Sequence, residues 1–317
     1  SRHTEPVERT LTIQSPLSVG LFAGKWCSYA ATPDLPHDQR EEDGGALVFT
    51  SHVLDRQTEL LGAPEVELEV AADRAVAMIA VRLSDVAPDD KATRVTYGLL
   101  NLTHRDSSEH PTPLEPGRSY RVKVRLNDSG HVFPPGHRIR LSISTSYWPL
   151  AWPPPEPVRL AIYTGESRLA LPVRLASPGA DGAIRFAEPA GAVPTTTLPL
   201  TETQHNWRVT RDLATDVSTL EVVNDQGTVY LEEIDREMQR KALEWYRYRD
   251  DDFNSVEGET LWERGFRRGD WRVRTVTRTR LTSTPETFVI HAELDAYEGD
   301  RRVFAENWDV EIARDLV

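Results

Sequence analysis

Several groups in this sequence are of the types that do chemistry. Cys27 is the single cysteine. A thiolate nucleophile needs an activating base in a cleft, and one thiol can form neither an intramolecular disulfide nor a Cys-based zinc site. His131 and His137 flank Val132-Phe133-Pro134-Pro135-Gly136. That spacing suits a metal pair, or two turn residues between strands, and no third ligand stands nearby. His37-Asp38 has the composition of half a His–carboxylate relay, or of a hydrogen-bonded loop anchor. Glu41-Glu42-Asp43 and Asp250-Asp251-Asp252 offer carboxylates for glycosidase or calcium chemistry. Adjacent residues on an extended chain point in opposite directions, and the Asp-x-Asp-x-Asp-Gly calcium loop is not met, so both read as solvated loops.

Motifs with a defined mechanism are missing. The nucleophile elbow needs Gly-x-Ser-x-Gly; Gly165-Glu166-Ser167-Arg168-Leu169 lacks the second glycine and precedes a strand. No His-Glu-x-x-His, phosphate loop or dinucleotide glycine fingerprint occurs. No catalytic residue, metal site or cofactor is therefore assigned. Tyr147, Trp148 and Trp152 bring three large rings into one Pro-rich loop, as either a sugar-stacking platform or an inter-domain packing plug. Asn101-Leu102-Thr103 is a weak glycosylation sequon within a strand.

The elements that must position these residues are strands. Glu65–Val70 alternates strictly, as a half-buried strand should. Ala75–Leu83 is a continuous apolar run, the pattern of a strand buried on both faces. Val95–Leu102, Tyr120–Leu126, Arg138–Ser144, Val158–Tyr163 and Ser167–Val173 complete a set of short strands. Ala87-Pro88-Asp89-Asp90, Glu115-Pro116-Gly117 and Asn127-Asp128-Ser129-Gly130 separate several of them as turns. Such spacing predicts a sandwich or jelly roll. Residues 1–50 read as irregular. Trp271–Arg280, Phe288–Asp295 and Phe304–Ile312 predict an antiparallel sheet with one wet face. Glu232–Tyr248 reads as a short helix or a bent strand.

The expected organisation is a jelly-roll domain with an irregular N-terminal segment over 1–185, a Pro- and Thr-rich linker over 186–200, and an antiparallel β domain over 201–317. The net charge of -13 argues against nucleic-acid partners and against anionic membranes. No apolar run reaches membrane-spanning length. The chain begins at Ser1 and shows no signal peptide, so upstream residues are expected and a cytoplasmic setting is favoured.

Four stretches of the first half carry a family resemblance. They are Pro33-Asp34-Leu35-Pro36-His37-Asp38-Gln39-Arg40; Leu60-Leu61-Gly62-Ala63-Pro64-Glu65-Val66; Val81-Arg82-Leu83-Ser84-Asp85-Val86; and His131 to Ser144, preceded by Leu114-Glu115-Pro116-Gly117. Together they resemble the C-terminal jelly-roll domain of the cocaine esterase / X-Pro dipeptidyl-peptidase / α-amino-acid ester hydrolase family, the CocE/NonD hydrolases, over about residues 15–175. The resemblance implies a parent serine hydrolase of ester, amide or X-Pro dipeptidyl-peptidase type. Its Ser-His-Asp triad would sit on an upstream α/β-hydrolase domain with a helical cap, absent from this chain. It implies that the β region packs on those domains of the same polypeptide and walls the cleft for a small ester or peptide substrate. Trp26, Ser28 and Tyr29 correspond to the cleft wall, and this chain alone is expected to be inactive. A homodimer through the long strands of 201–317 is a further expectation. The competing readings are a free-standing carbohydrate-binding jelly roll using Tyr147, Trp148 and Trp152, and an independent enzyme built on Cys27 or a His–carboxylate site.

Overall fold

The computed structural model describes residues 9–25, 34–175 and 178–317. The chain divides into two compact units, Ser1–Ser177 with Asp315–Val317, and Pro178–Arg314. The division falls ahead of the expected 186–200 linker, and the last three residues return to the first unit.

The first unit is built from β1 (Thr10–Ile13), β2 (Leu47–Thr50), β3 (Thr58–Gly62), β4 (Glu65–Ala72), β5 (Met78–Val86), β6 (Ala92–Asn101), β7 (Ser119–Arg125), β8 (Ser129–Phe133), β9 (Arg138–Ser144) and β10 (Leu160–Ala170). One sheet runs β1-β10-β4-β7 and a second runs β2-β9-β5-β6, while β3 and β8 form a two-stranded ribbon. Every pairing is antiparallel. The architecture is the all-β sandwich expected.

The alternation of β4 explains its place. Val66, Leu68 and Val70 face the core with Val122 and Val124 of β7. On the outer face Glu65 pairs with Lys123 at 2.6 Å, and Glu67 with Arg168 of β10 at 2.6 Å. Opposite charges across a ladder fix the register that the apolar face requires. Strand β5 is buried along its whole length. Its Ile79, Val81 and Leu83 enter the core between the sheets, while Met78 and Ala80 pack with Val19, Ala23 and Tyr147 on the other side. A strand covered on both faces can be apolar throughout, and Arg82 is the exception that leads to the site.

Strand β10 is a single strand where the sequence predicts two. It carries a register shift between Tyr163 and Arg168, where the Ser167 hydroxyl donates to the Tyr163 carbonyl at 2.8 Å. The first fifty residues hold β1, β2 and α1 (Arg40–Asp43). The turn expected at Asn127–Gly130 gives way at Ser129 to β8, so His131 lies on a strand.

The second unit starts with α2 (Pro178–Ala183). It then forms one antiparallel sheet from β11 (Thr197–Pro199), β12 (Gln204–Asp212), β13 (Val217–Leu231), β14 (Arg236–Arg249), β15 (Glu257–Arg268), β16 (Trp271–Ser283), β17 (Thr287–Glu298) and β18 (Arg301–Ala313). The order is β11-β13-β14-β15-β16-β17-β18, with β12 beside β11 on the outer edge of β13. The registers sort its side chains into two faces. Leu220, Tyr246, Trp262, Thr277, Leu294 and Trp308 share one face with their neighbours. The other is charged: Glu259 accepts from Arg247 at 2.8 Å and from Arg278 at 2.7 Å, which ties β14, β15 and β16 together. Of the two readings of Glu232–Tyr248, the structure takes the strand: a single 3-10 turn, Glu232–Ile234, is succeeded by β14. No helix among the described residues is long and apolar enough to cross a membrane.

Candidate functional site

The described residues between β1 and β2, 14–25 and 34–46, bring Val19 and Ala23 onto the outer face of β5, and a buried ionic cluster holds them there. Helix α1 is one turn long. It aims Glu42 and Asp43 at the same partner, which two successive residues of an extended chain cannot do. Arg82 Nη1 donates to Glu42 Oε2 at 2.8 Å, and Arg82 Nη2 to Asp43 Oδ1 at 3.3 Å. The side chains of Arg82 and Glu42 are both 0% exposed. The Asp43 carboxylate also accepts from Ser142 at 2.6 Å and Arg140 at 3.0 Å. Two readings are corrected by this geometry. Glu42 and Asp43 converge on Arg82 and Glu42 is not solvated, while Glu41 stays exposed.

The second function of Glu42 is to fix backbone. Its Oε2 accepts from the Gly20 amide at 2.6 Å, and its Oε1 from the Phe22 amide at 2.8 Å. Gly20 has φ +120, and a Cβ there would lie 2.2 Å from the Trp148 carbonyl oxygen, so only glycine allows this approach. Burial pushes the Glu42 carboxyl up, while Arg82 and the two amides pull against it. A buried charge with one partner removed is costly; here one donor comes from β5 and two from the loop after β1.

The same segment is laced to α1 from its far side. The Gln39 amide donates to the Ala92 carbonyl at 2.9 Å, the Gln39 side chain to the His37 carbonyl at 2.9 Å, and the His37 amide to the Phe22 carbonyl at 3.0 Å. Asp38 accepts from the Arg40 and Ala92 amides. Burial raises its pKa, and the hydrogen bonds from Arg40 and Ala92 outweigh it and hold the carboxyl below its ordinary value. His37 meets Phe22 edge-on rather than Asp38. Lys25 and Asp34, the residues on either side of 26–33, are joined by a 3.0 Å backbone hydrogen bond and a 3.7 Å ion pair. Trp26, Ser28 and Tyr29, with Cys27, lie outside the described residues.

The aromatic set does not form an open platform. Tyr147 is 0% and Trp148 1% exposed. The Tyr147 hydroxyl accepts from Arg94 at 2.7 Å, and burial raises its pKa. Trp148 stacks edge-on against Trp152 at 5.0 Å. Only Trp152 reaches a surface hollow, beside Met78, Leu100 and Val317.

The two histidines converge on one carboxylate that sequence spacing does not suggest. His131 Nε2 lies 3.0 Å from Asp85 Oδ2, and His137 Nδ1 lies 2.7 Å from Asp85 Oδ1. Asp85 stands near the end of β5 and is 8% exposed. The trio latches β8 and the turn before β9 onto β5. Among the described residues, no group of three or more His, Cys, Asp and Glu is disposed to hold a metal. Asp250 and Asp251 are exposed at a turn, as is Asp252.

An apolar cavity of about 370 Å³ opens between the sheets, lined by Phe49, Leu68, Ile139, Ile162 and Leu169. The rim hydroxyls of Ser51 and Ser167 are committed to the His52 and Tyr163 carbonyls. The cavity can take an apolar group and offers no activated nucleophile.

Comparison with known proteins gives these contacts a context. A family described as the X-Pro dipeptidyl-peptidase C-terminal non-catalytic domain matches residues 4–210, a stretch that runs past the first unit into β12. The cocaine esterase of Rhodococcus sp. (strain MB1 Bresler) is 30% identical over 116 residues, which are 36% of this chain and 20% of the esterase. Among solved structures, an α-amino acid ester hydrolase superposes with a TM-score of 0.46 at 22% identity, covering 55% of this chain and 33% of the hydrolase. An aminopeptidase from the marine sediment archaeon Thaumarchaeota archaeon superposes with a TM-score of 0.46 at 19% identity, covering 54% and 34%. The matched stretch is a minor part of each of these relatives.

Proposed function

Because this chain belongs to the X-Pro dipeptidyl-peptidase C-terminal non-catalytic domain family, we propose that it serves a parent serine hydrolase as a wall and scaffold. In this reading the sandwich packs on an α/β-hydrolase domain and its cap, carried by the same polypeptide. The segment through Trp26, Ser28 and Tyr29 closes one side of a cleft for a small ester or peptide. The chain contributes shape and water exclusion there, and no proton transfer.

The observation that carries the reading is the anchoring of the residues that flank that segment. Glu42 fixes the amides of Gly20 and Phe22 on one side of it, and Lys25 is hydrogen-bonded to Asp34 across its base. A wall improves catalysis only when its position is fixed before substrate arrives. The described residues on either side of it, tied by a buried carboxylate and by the Lys25–Asp34 hydrogen bond, support that reading. The carbohydrate module loses support, because two of its three rings are buried.

The test compares the longer polypeptide with this chain under an activity-based fluorophosphonate. Labelling of the longer polypeptide and none of this chain supports the reading. Clean labelling of a serine within these 317 residues overturns it. In the longer polypeptide, Trp26→Ala and Tyr29→Ala should raise KM more for bulky than for small acyl groups. Equal effects on both, or none, would remove these residues from the wall.

A further inference from the structure

The sheet of the second unit has two unlike edges. On one, the edge is divided between two separate strands laid along β13, the three-residue β11 and the nine-residue β12. Dividing an edge shortens each stretch that a neighbour could pair with. On the other, β18 pairs with β17 alone among the described residues. From Phe304 to Ala313 that pairing is regular, opposite Ala296 to Thr287. Every residue of β18 is exposed. The stretch contains no Lys, Pro or Gly.

This open edge is also apolar on one face. Phe304, Trp308, Val310 and Ile312 continue the face carried on β17 by Ala296, Ala292, Ile290 and Phe288, and each is 42–50% exposed. Glu306 is the one charge among them. A long apolar strand with unpaired N–H and C=O groups pairs with whatever complements it.

We infer that β18 pairs antiparallel with β18 of a second copy of this chain, joining two sheets into one across a two-fold axis. The order of charge along the strand selects this partner. Arg301 and Arg302 open β18, and Asp309 and Glu311 lie near its end. Antiparallel self-pairing sets the basic start of each strand beside the acidic end of the other, twice. Parallel pairing stacks like on like. Glu311 has no ion-pair partner among the described residues, and Arg301 holds only an exposed one to Glu298 at 3.6 Å, so both have capacity across such a seam. Self-pairing is also the arrangement that closes. A β18 edge added to the β12 edge of another copy would leave the same two edges free and grow without limit. This association does not depend on the cleft role proposed above.

The experiment uses the full chain carrying Cys27→Ser, with single cysteines placed at Ala305, Asn307, Asp309 and Glu311 on the polar face. In a two-fold antiparallel pair, only the residue at the axis meets its own copy. Disulfide-linked dimer should therefore peak at the position on the axis, or at the two that flank it, and fall with distance from it. Equal linkage at all four positions, or none, overturns the inference. Sedimentation velocity across a concentration series should show a dimer for the unmodified chain. Val310→Lys, which puts a charge on the apolar side of the seam, should abolish it with the far-UV circular dichroism unchanged. A monomeric chain, or a Val310→Lys dimer, counts against the seam. The longer polypeptide must dimerise too: if it stays monomeric, the strand is covered from within, and the inference fails while the cleft role stands.

Discussion

A carboxylate with no exposed surface must be held by donors on every side, and Glu42 has three, from Arg82, Gly20 and Phe22. The sequence offers one sign of it. Arg82 stands in a strand that is otherwise mostly apolar and fully buried, and a buried guanidinium requires a buried acid. The acid itself is hidden, because Glu41-Glu42-Asp43 looks like a run of alternating solvated carboxylates until the chain makes one helical turn. Asp85 is hidden for a related reason: strand spacing does not reveal which carboxylate two histidines on another hairpin will reach. Removing one member of the buried pair should be expensive. Glu42→Gln or Arg82→Met should each destabilise the first unit by about 3–5 kcal/mol, read from hydrogen exchange of the β5 amides. The double variant should cost less than the sum, since the two residues share one interaction. A loss of ~1 kcal/mol or less, the size of an exposed pair, would mean that water reaches the cluster.

At the level of elements, strands with a face to bury are legible and strands shaped by their neighbours are not. The alternation of β4, the unbroken run of β5, and β16 to β18 can all be read from periodicity. Strand β14 cannot. Its Glu237, Met238, Gln239, Lys241, Ala242 and Leu243 are good helix formers, yet ladders to β13 and β15 on both sides override that preference. Strand β8 is concealed by the turn residues in front of it. The last hairpin carries a titratable tie of its own. His291 of β17 lies opposite Asp309 of β18, with Nδ1 2.6 Å from Asp309 and Nε2 3.1 Å from Glu293. Both ring nitrogens can donate only in the imidazolium. The hydrogen bonds to Asp309 and then Glu293 raise its pKa above the ordinary 6.5. A raised folded-state pKa adds stability that is complete below about 6.5 and lost as pH rises through the raised value. NMR titration of the His291 ring protons should therefore give a midpoint above the ordinary value. Exchange of the β17–β18 amides should quicken as pH climbs past it, beyond the intrinsic pH effect. In His291→Gln that additional dependence should vanish. A midpoint at or below the ordinary value would show that the two carboxylates leave the ring to solvent.

At the scale of the whole molecule, composition marks the region of a boundary and not its residue. Proline and threonine mark 186–200 as the boundary, and the residues around it are exposed, including Phe186 and Val193. The compact division comes at 177/178, with α2 grouped in the second unit. Nothing in the sequence indicates that Asp315–Val317 rejoins the first unit. The contact is specific. The Leu316 carbonyl accepts from Asn101 Nδ2 at 2.8 Å and from Thr103 Oγ1 at 2.9 Å, while Asn101 Oδ1 accepts from the Thr103 amide at 3.1 Å. The sequon at Asn101 is thus occupied with holding the end of the chain, and its amide is not presented to a glycan. Deleting Asp315–Val317 should leave Asn101 Nδ2 and Thr103 Oγ1 without this acceptor. Two lost hydrogen bonds of ordinary strength predict about 1–3 kcal/mol less stability for the first unit. The loss should appear as faster exchange at the end of β6, with the second unit's amides unchanged. Thr103→Val in the intact chain should reproduce part of it, because the same carbonyl loses one donor. If the deletion leaves β6 exchange untouched while Thr103→Val destabilises, the hydroxyl matters for the Asn101 turn alone and the tail is a passenger.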